Sequence, residues 1–176
     1  MPRALALLFA LMLASCGGGG GGGSVAVSSG PSGGGGGTVT SPALPTAGMR
    51  VEESDAAVST TGAWSQSDKA SGWSGGSAIQ ATTAGATVSI SFNGTSIRWI
   101  GSRGRGMGIA QVSVDSGPVK EVDLFGRPSD EIHTPIFTVY DLAAGKHTLT
   151  ITATGRQNGQ AEGNAVVVDA FDIQPD

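Results

Sequence analysis

Over residues 49–173 apolar and polar side chains alternate in short runs, separated by Gly, Asn, Asp, Ser and Pro. A period of two turns one face of a segment to a core and the other to water, so this pattern predicts β-strands. Val88-Ser89-Ile90-Ser91-Phe92 alternates strictly, Asn93-Gly94 is the dipeptide favoured in tight hairpins, and Ile97-Arg98-Trp99-Ile100 resumes the run. The spacing predicts a β-hairpin over these residues. A second is predicted from Ala110–Val114, through Asp115-Ser116-Gly117-Pro118, to Val119–Leu124. Further strands are expected at Met49–Glu53, Ser77–Thr82, Pro135–Tyr140, His147–Thr154 and Ala165–Ile173, and no segment carries a helical period of ordinary length. Many short strands with turn residues between them predict an all-β fold, an antiparallel two-sheet β-sandwich over residues 49–176. A domain of that size buries about two-thirds of its unfolded surface and needs no metal or partner to fold.

The N-terminal regions have a different chemistry. Residues 1–15 hold one charge, Arg3, followed by an apolar run from Ala4 to Ala14. That fits a secretory signal, and the run is too short to cross a bilayer, which takes roughly 20 apolar residues. Cys16 is the only cysteine, which rules out an internal disulfide. Leu13-Ala14-Ser15-Cys16 resembles the lipobox of bacterial lipoproteins, in which the cysteine takes a diacylglyceryl thioether before the signal is cut. The resemblance implies lipidation at Cys16 and membrane attachment; Gly17 in the next position resembles lipoproteins sorted to the outer membrane. Residues 17–37 hold thirteen of the thirty glycines and lack the apolar surface to offset ordering entropy. Residues 16–48 are thus expected to form a tether, with an extended lead-in around Pro42 and Pro45.

Charge narrows the partners. Without Arg3 the chain has nine basic and fourteen acidic residues, and the sequence pI is about 5.0. Proteins that accumulate on phosphate backbones show clustered Lys and Arg and a high pI, so no nucleic-acid partner is expected.

The strand order carries further landmarks: Val51-Glu52-Glu53-Ser54-Asp55, Gly62-Ala63-Trp64, Phe92-Asn93-Gly94-Thr95, Val112-Ser113-Val114-Asp115, Gly145-Lys146-His147-Thr148-Leu149 and Val168-Asp169-Ala170-Phe171. Together these resemble a galactose-binding-like jelly-roll module. Such modules are frequent in bacterial extracellular proteins, often beside glycoside hydrolases and esterases, and many bind carbohydrate without transforming it. The resemblance implies a polysaccharide or glycan partner. In several such modules paired carboxylates hold a structural calcium ion, and Glu52 or Glu53 with Asp169 are the residues here that would do so. Their alternative reading is solvated edge charge.

Sugar sites pair an aromatic ring with hydrogen-bonding groups. Trp99 sits in a strand pattern and is expected in the core. Trp64 and Trp73 flank the polar segment 65–72, where a loop presents either ring to solvent or uses it as a plug; Trp73 is the first choice for exposure. Arg103 and Arg105 stand on the glycine-rich segment 102–108, where two guanidinium groups suit a carboxylate or sulfate, against the alternative of a flexible turn with solvated arginines. Asp130, Glu131 and His133 suit a small metal or acid–base cluster, against the alternative of an ordinary polar loop, and no serine has the surroundings of a nucleophile elbow. The chain is therefore expected not to be an enzyme. Its expected function is non-catalytic binding of carbohydrate or a glycan-bearing surface by an envelope lipoprotein. The alternative is docking of an envelope protein partner.

Overall fold

The computed structural model describes residues 48–67, 72–126 and 130–176. The expected signal segment, Cys16 and the glycine tract lie outside the described residues. Among the described residues eleven strands run in chain order: β1 (Met49–Glu52), β2 (Val58–Thr61), β3 (Ser65–Gln66), β4 (Ile79–Ala81), β5 (Thr87–Asn93), β6 (Ser96–Arg103), β7 (Ile109–Val114), β8 (Lys120–Asp123), β9 (Glu131–Val139), β10 (Lys146–Ala153) and β11 (Val166–Gln174). A 3-10 turn, Ser74–Gly76, precedes β4. The strands form two antiparallel sheets, one in the order β3-β4-β11-β6-β9 with β1 also paired to β11, the other β2-β5-β10-β7-β8.

Alternation explains how the sheets stack. On β5, Val88, Ile90 and Phe92 are buried, while Ser89 and Ser91 face away. Leu149 and Ile151 of β10 and Val112 of β7 extend that apolar face. From the larger sheet, Ile97 and Trp99 of β6 and Phe171 and Ile173 of β11 meet it, and all belong to one core cluster. The Trp99 indole Nε1 donates to the Val167 carbonyl at 3.1 Å, so its one polar atom is satisfied inside the core.

One expectation is corrected. The Asn93-Gly94 dipeptide does not close a hairpin, because β5 and β6 belong to different sheets. The chain crosses from one sheet to the other there. The Gly94 N–H donates to the Gly145 carbonyl and the Thr95 N–H to the Gln174 carbonyl, so the turn is tied to other corners of the sandwich. A Cβ on Gly94 would stand 2.2 Å from the Gln174 oxygen, which explains glycine at this position. Two apolar faces that must oppose each other across a core are better served by a corner than by a ladder. The second hairpin, β7 to β8, does pair, with Ile109 opposite Asp123 and Val112 opposite Lys120. β2 and β3, absent from the sequence prediction, are short and largely exposed, so they lack the apolar alternation that marks a half-buried strand.

His147 of β10 ties the β7–β8 turn to the sheet. Its Nδ1 lies 2.6 Å from Asp115 Oδ2 and its Nε2 2.6 Å from the Ala143 carbonyl. Two acceptors suit an imidazole that carries both protons, and the Ala143 carbonyl together with Asp115 raises the His147 pKa above its ordinary value. The His147 contact and the Thr148 N–H in turn lower that of Asp115. The His147 contribution to stability is present below its unfolded pKa and lost as pH rises through the higher folded value. That of Asp115 is present above its unfolded pKa and lost as pH falls through the lower folded value. The urea midpoint is therefore expected to be highest between these two limits. His147→Gln is expected to flatten the alkaline limb, and an unchanged limb in that variant would reject the assignment.

Candidate functional site

Where the end of β1 lies beside β11 of the larger sheet three carboxylates converge. Glu52 ends β1, Glu53 follows it, and Asp169 lies on β11 where the register against β6 shifts between Val168 and Ala170. This irregularity makes Asp169 an extra residue opposite β6, and bulges of that kind re-aim a side chain. One oxygen from each of Glu52, Glu53 and Asp169 lies within 4.8 Å of the others. Glu53 is 6% exposed and Asp169 0% exposed.

Oxygens of all three carboxylates are held by the 3-10 turn, by Ser77 after it, and by β9. The Ser74 N–H donates to Asp169 Oδ1 at 2.9 Å, the Ser74 hydroxyl to Glu52 Oε1 at 2.8 Å, and the Ser77 hydroxyl to Glu53 Oε1. Arg50 NH1 lies 3.0 Å from His133 Nε2, and His133 Nδ1 lies 2.7 Å from Asp169 Oδ2. Because a guanidinium can only donate, Nε2 accepts, the ring proton sits on Nδ1, and it is donated to Asp169. His133 holds a φ of +53°, an uncommon conformation for a residue with a side chain. Burial, above all, raises the Asp169 pKa above its ordinary value, against the opposing effects of His133 and the Ser74 N–H, with Glu52 adding to the rise.

Glu52 Oε2 and Glu53 Oε2 are buried without a hydrogen-bond partner. An unpaired buried carboxylate oxygen is costly, and a second one beside it more so. A hard cation with oxygen ligands offsets both costs, and the donor set of three carboxylates is the type that calcium takes. Gly75, with φ +58°, keeps the approach open: a Cβ there would lie 3.3 Å from Glu52 Oε2. Among the described residues no other trio of His, Cys, Asp or Glu is arranged to hold a metal. The grouping Asp130, Glu131 and His133 therefore does not converge; His133 turns to Asp169, and Asp130 accepts the Arg105 N–H.

The aromatic and guanidinium residues chosen from sequence are distributed differently from the expectation. Trp73 is 7% exposed and belongs to the core cluster, so it offers no open ring for stacking. The apolar contact area of an indole outweighs the polar sequence around it. Trp64 is half-buried against the core, and its Nε1 donates to the Thr61 carbonyl. Arg103 donates to the Asp123 carbonyl at 2.8 Å, and Arg105 pairs with Glu162 at 3.0 Å. Both arginines are thus engaged within the protein, and the patch expected from Trp73 with Arg103 and Arg105 has no exposed ring at its centre. Sequence reasoning missed Arg50, Ser74 and Ser77 because their importance comes from which strands lie side by side.

No protein-family model matches the chain. The fold defines the class of protein: the domain is an all-β, antiparallel two-sheet sandwich of the jelly-roll kind. A CBM35 from Cellvibrio japonicus superposes with a TM-score of 0.52 at 14% identity, over 72% of this chain and 92% of that one. Two proteins of Flavonifractor plautii are similar in sequence. An A type blood N-acetyl-alpha-D-galactosamine deacetylase is 37% identical over 101 residues, 57% of this chain, and an A type blood alpha-D-galactosamine galactosaminidase is 34% identical over 110 residues, 62% of this chain. The matched segment makes up 13% and 10% of those relatives respectively.

Proposed function

We propose that the chain is a non-catalytic module that binds carbohydrate or a glycan-bearing surface while tethered to the bacterial envelope. The observation that carries this reading is that one segment recurs in two relatives with different reactions. A deacetylase and a galactosaminidase share it, and it makes up about a tenth of each. A common binding task fits that distribution better than either reaction does, and the CBM35-like sandwich supports it. On the same reading, Glu52, Glu53 and Asp169 hold a structural calcium ion that stiffens the pairing of β1 with β11. Lipid on Cys16 anchors the module to the outer membrane, and the glycine tract gives it reach.

The test is a glycan array probed with the full chain in detergent, covering blood-group A oligosaccharides and neutral and acidic polysaccharides. Binding to at least one class is expected, with the ligand recovered chemically unchanged after long incubation. No binding across the array would overturn the carbohydrate reading, and a released acetyl group or sugar would overturn the non-catalytic one.

A further inference from the structure

The larger sheet sets one row of polar side chains next to each other across four strands. Arg50 of β1 is in register with Asp172 of β11, Asp172 with Arg98 of β6, and Arg98 with Thr138 of β9. Val51, Phe171, Ile173, Ile97 and Trp99, which flank this row along the strands, are buried in the core. Alternation therefore turns the row to the opposite, outer face. With Gln174 and Tyr140 it lines a groove of about 260 Å³, near the lower end of the range of about 300–1,000 Å³ typical of ligand sites.

The charges in the groove do not balance. Arg50 spends its fork on Asp172, with Nε 2.7 Å from Oδ1 and NH2 3.0 Å from Oδ2. Arg98 reaches the same carboxylate only at 3.9 Å, and no other polar contact to its guanidinium is found among the described residues. Its side chain is 13% exposed, so water replaces the missing partner poorly. Two guanidinium groups thus share the Asp172 carboxylate, but Arg50 also reaches Ser74 and His133, whereas Arg98, among the described residues, has only Asp172 at 3.9 Å and is the under-partnered charge in the groove. Gln174 Oε1 is also buried without a partner. The Tyr140 residue, 42% exposed, stands at the rim and offers a ring face and a hydroxyl.

We propose that this outer-face groove is a binding cleft for a saccharide that bears a carboxylate. The planar ligand carboxylate would take the free side of the Arg98 fork, which matches it in shape and charge. Tyr140 would lie against the sugar ring, and Thr138 and Gln174 would meet its hydroxyls. The proposal rests on the carbohydrate-binding function above and places that function on the outer sheet face, in a groove that shares Arg50 with the hydrogen bonds leading through His133 to Asp169.

The experiment titrates the full chain in detergent with polygalacturonate, alginate and hyaluronan, each beside its carboxyl-reduced counterpart. At least one acidic polymer is expected to bind ten-fold or more tightly than its reduced form. Arg98→Ala is expected to erase that preference and flatten the salt dependence, and Tyr140→Ala to weaken both forms about ten-fold. Arg98→Lys keeps the charge without the fork and guards against a folding defect in Arg98→Ala; it is expected to retain only part of the preference. Circular dichroism checks that each variant is folded. Equal binding of acidic and reduced polymers, or wild-type affinity in folded Arg98 and Tyr140 variants, would overturn the groove while leaving glycan binding elsewhere intact. Binding confined to neutral glycans on the array would do the same. An array with no binding at all would remove the carbohydrate function itself.

Discussion

Chelation of calcium is expected to lower the melting temperature of the domain by about 10 °C, and Asp169→Asn is expected to abolish the difference between chelated and calcium-loaded protein. Three carboxylates meet where the end of β1 lies against the middle of β11, and two of their oxygens are buried without partners. An ion that binds only the folded state at about a hundred times its Kd adds about 2.7 kcal/mol. For a domain of this size each kcal/mol moves Tm by about 4 °C, which gives the expected shift. Calcium should act more strongly than magnesium, since the smaller ion demands near-octahedral geometry and gives up its water reluctantly. Glu53→Gln is expected to reduce the calcium response while leaving the chelated protein no less stable, because it removes a buried charge that only the ion balances. The measurement is a set of calorimetric melts in calcium, magnesium and chelator. Superimposable wild-type melts in calcium and chelator would reject the cation site.

Cys16→Ser is expected to move the protein almost entirely from the membrane fraction to the soluble fraction, or to leave it with its signal uncut. Lipid attachment stabilises membrane binding by about 0.8 kcal/mol per buried methylene, so one chain holds a protein marginally and several on one residue hold it durably. The wild-type chain is expected to partition into detergent and to carry the mass of a diacylglyceryl group on Cys16, with residues 1–15 absent. The serine hydroxyl does not form the thioether, so this single atom decides the outcome. Wild-type protein recovered soluble and unmodified at Cys16 would reject the anchor. Because the change lies far in sequence from β1, the melting temperature of the domain is expected to stay the same, which separates loss of anchoring from loss of folding.

Local patterning set most strand positions: period-two alternation in Val88–Phe92, Ile97–Ile100 and His147–Thr154 marks segments with one buried face, whatever sheet they join. The core role of Trp99 was legible for the same reason. Sheet membership was not. Asn93-Gly94 has the chemistry of a hairpin, yet β5 and β6 lie in different sheets because their apolar faces oppose each other across the core. The exposure of Trp73 was equally beyond the local pattern, since its polar neighbours say nothing about the apolar core that buries the ring. Glu52, Glu53 and Asp169 stood out through resemblance, but their convergence depends on β1 lying beside β11 and on the register shift at Asp169. The row Arg50, Asp172, Arg98 and Thr138 comes from four separated segments, and only cross-strand register brings it together. The sequence by itself determined which residues alternate between core and water. The tertiary structure decided which polar faces meet, because strand pairing joins distant segments through backbone hydrogen bonds that carry no side-chain signature.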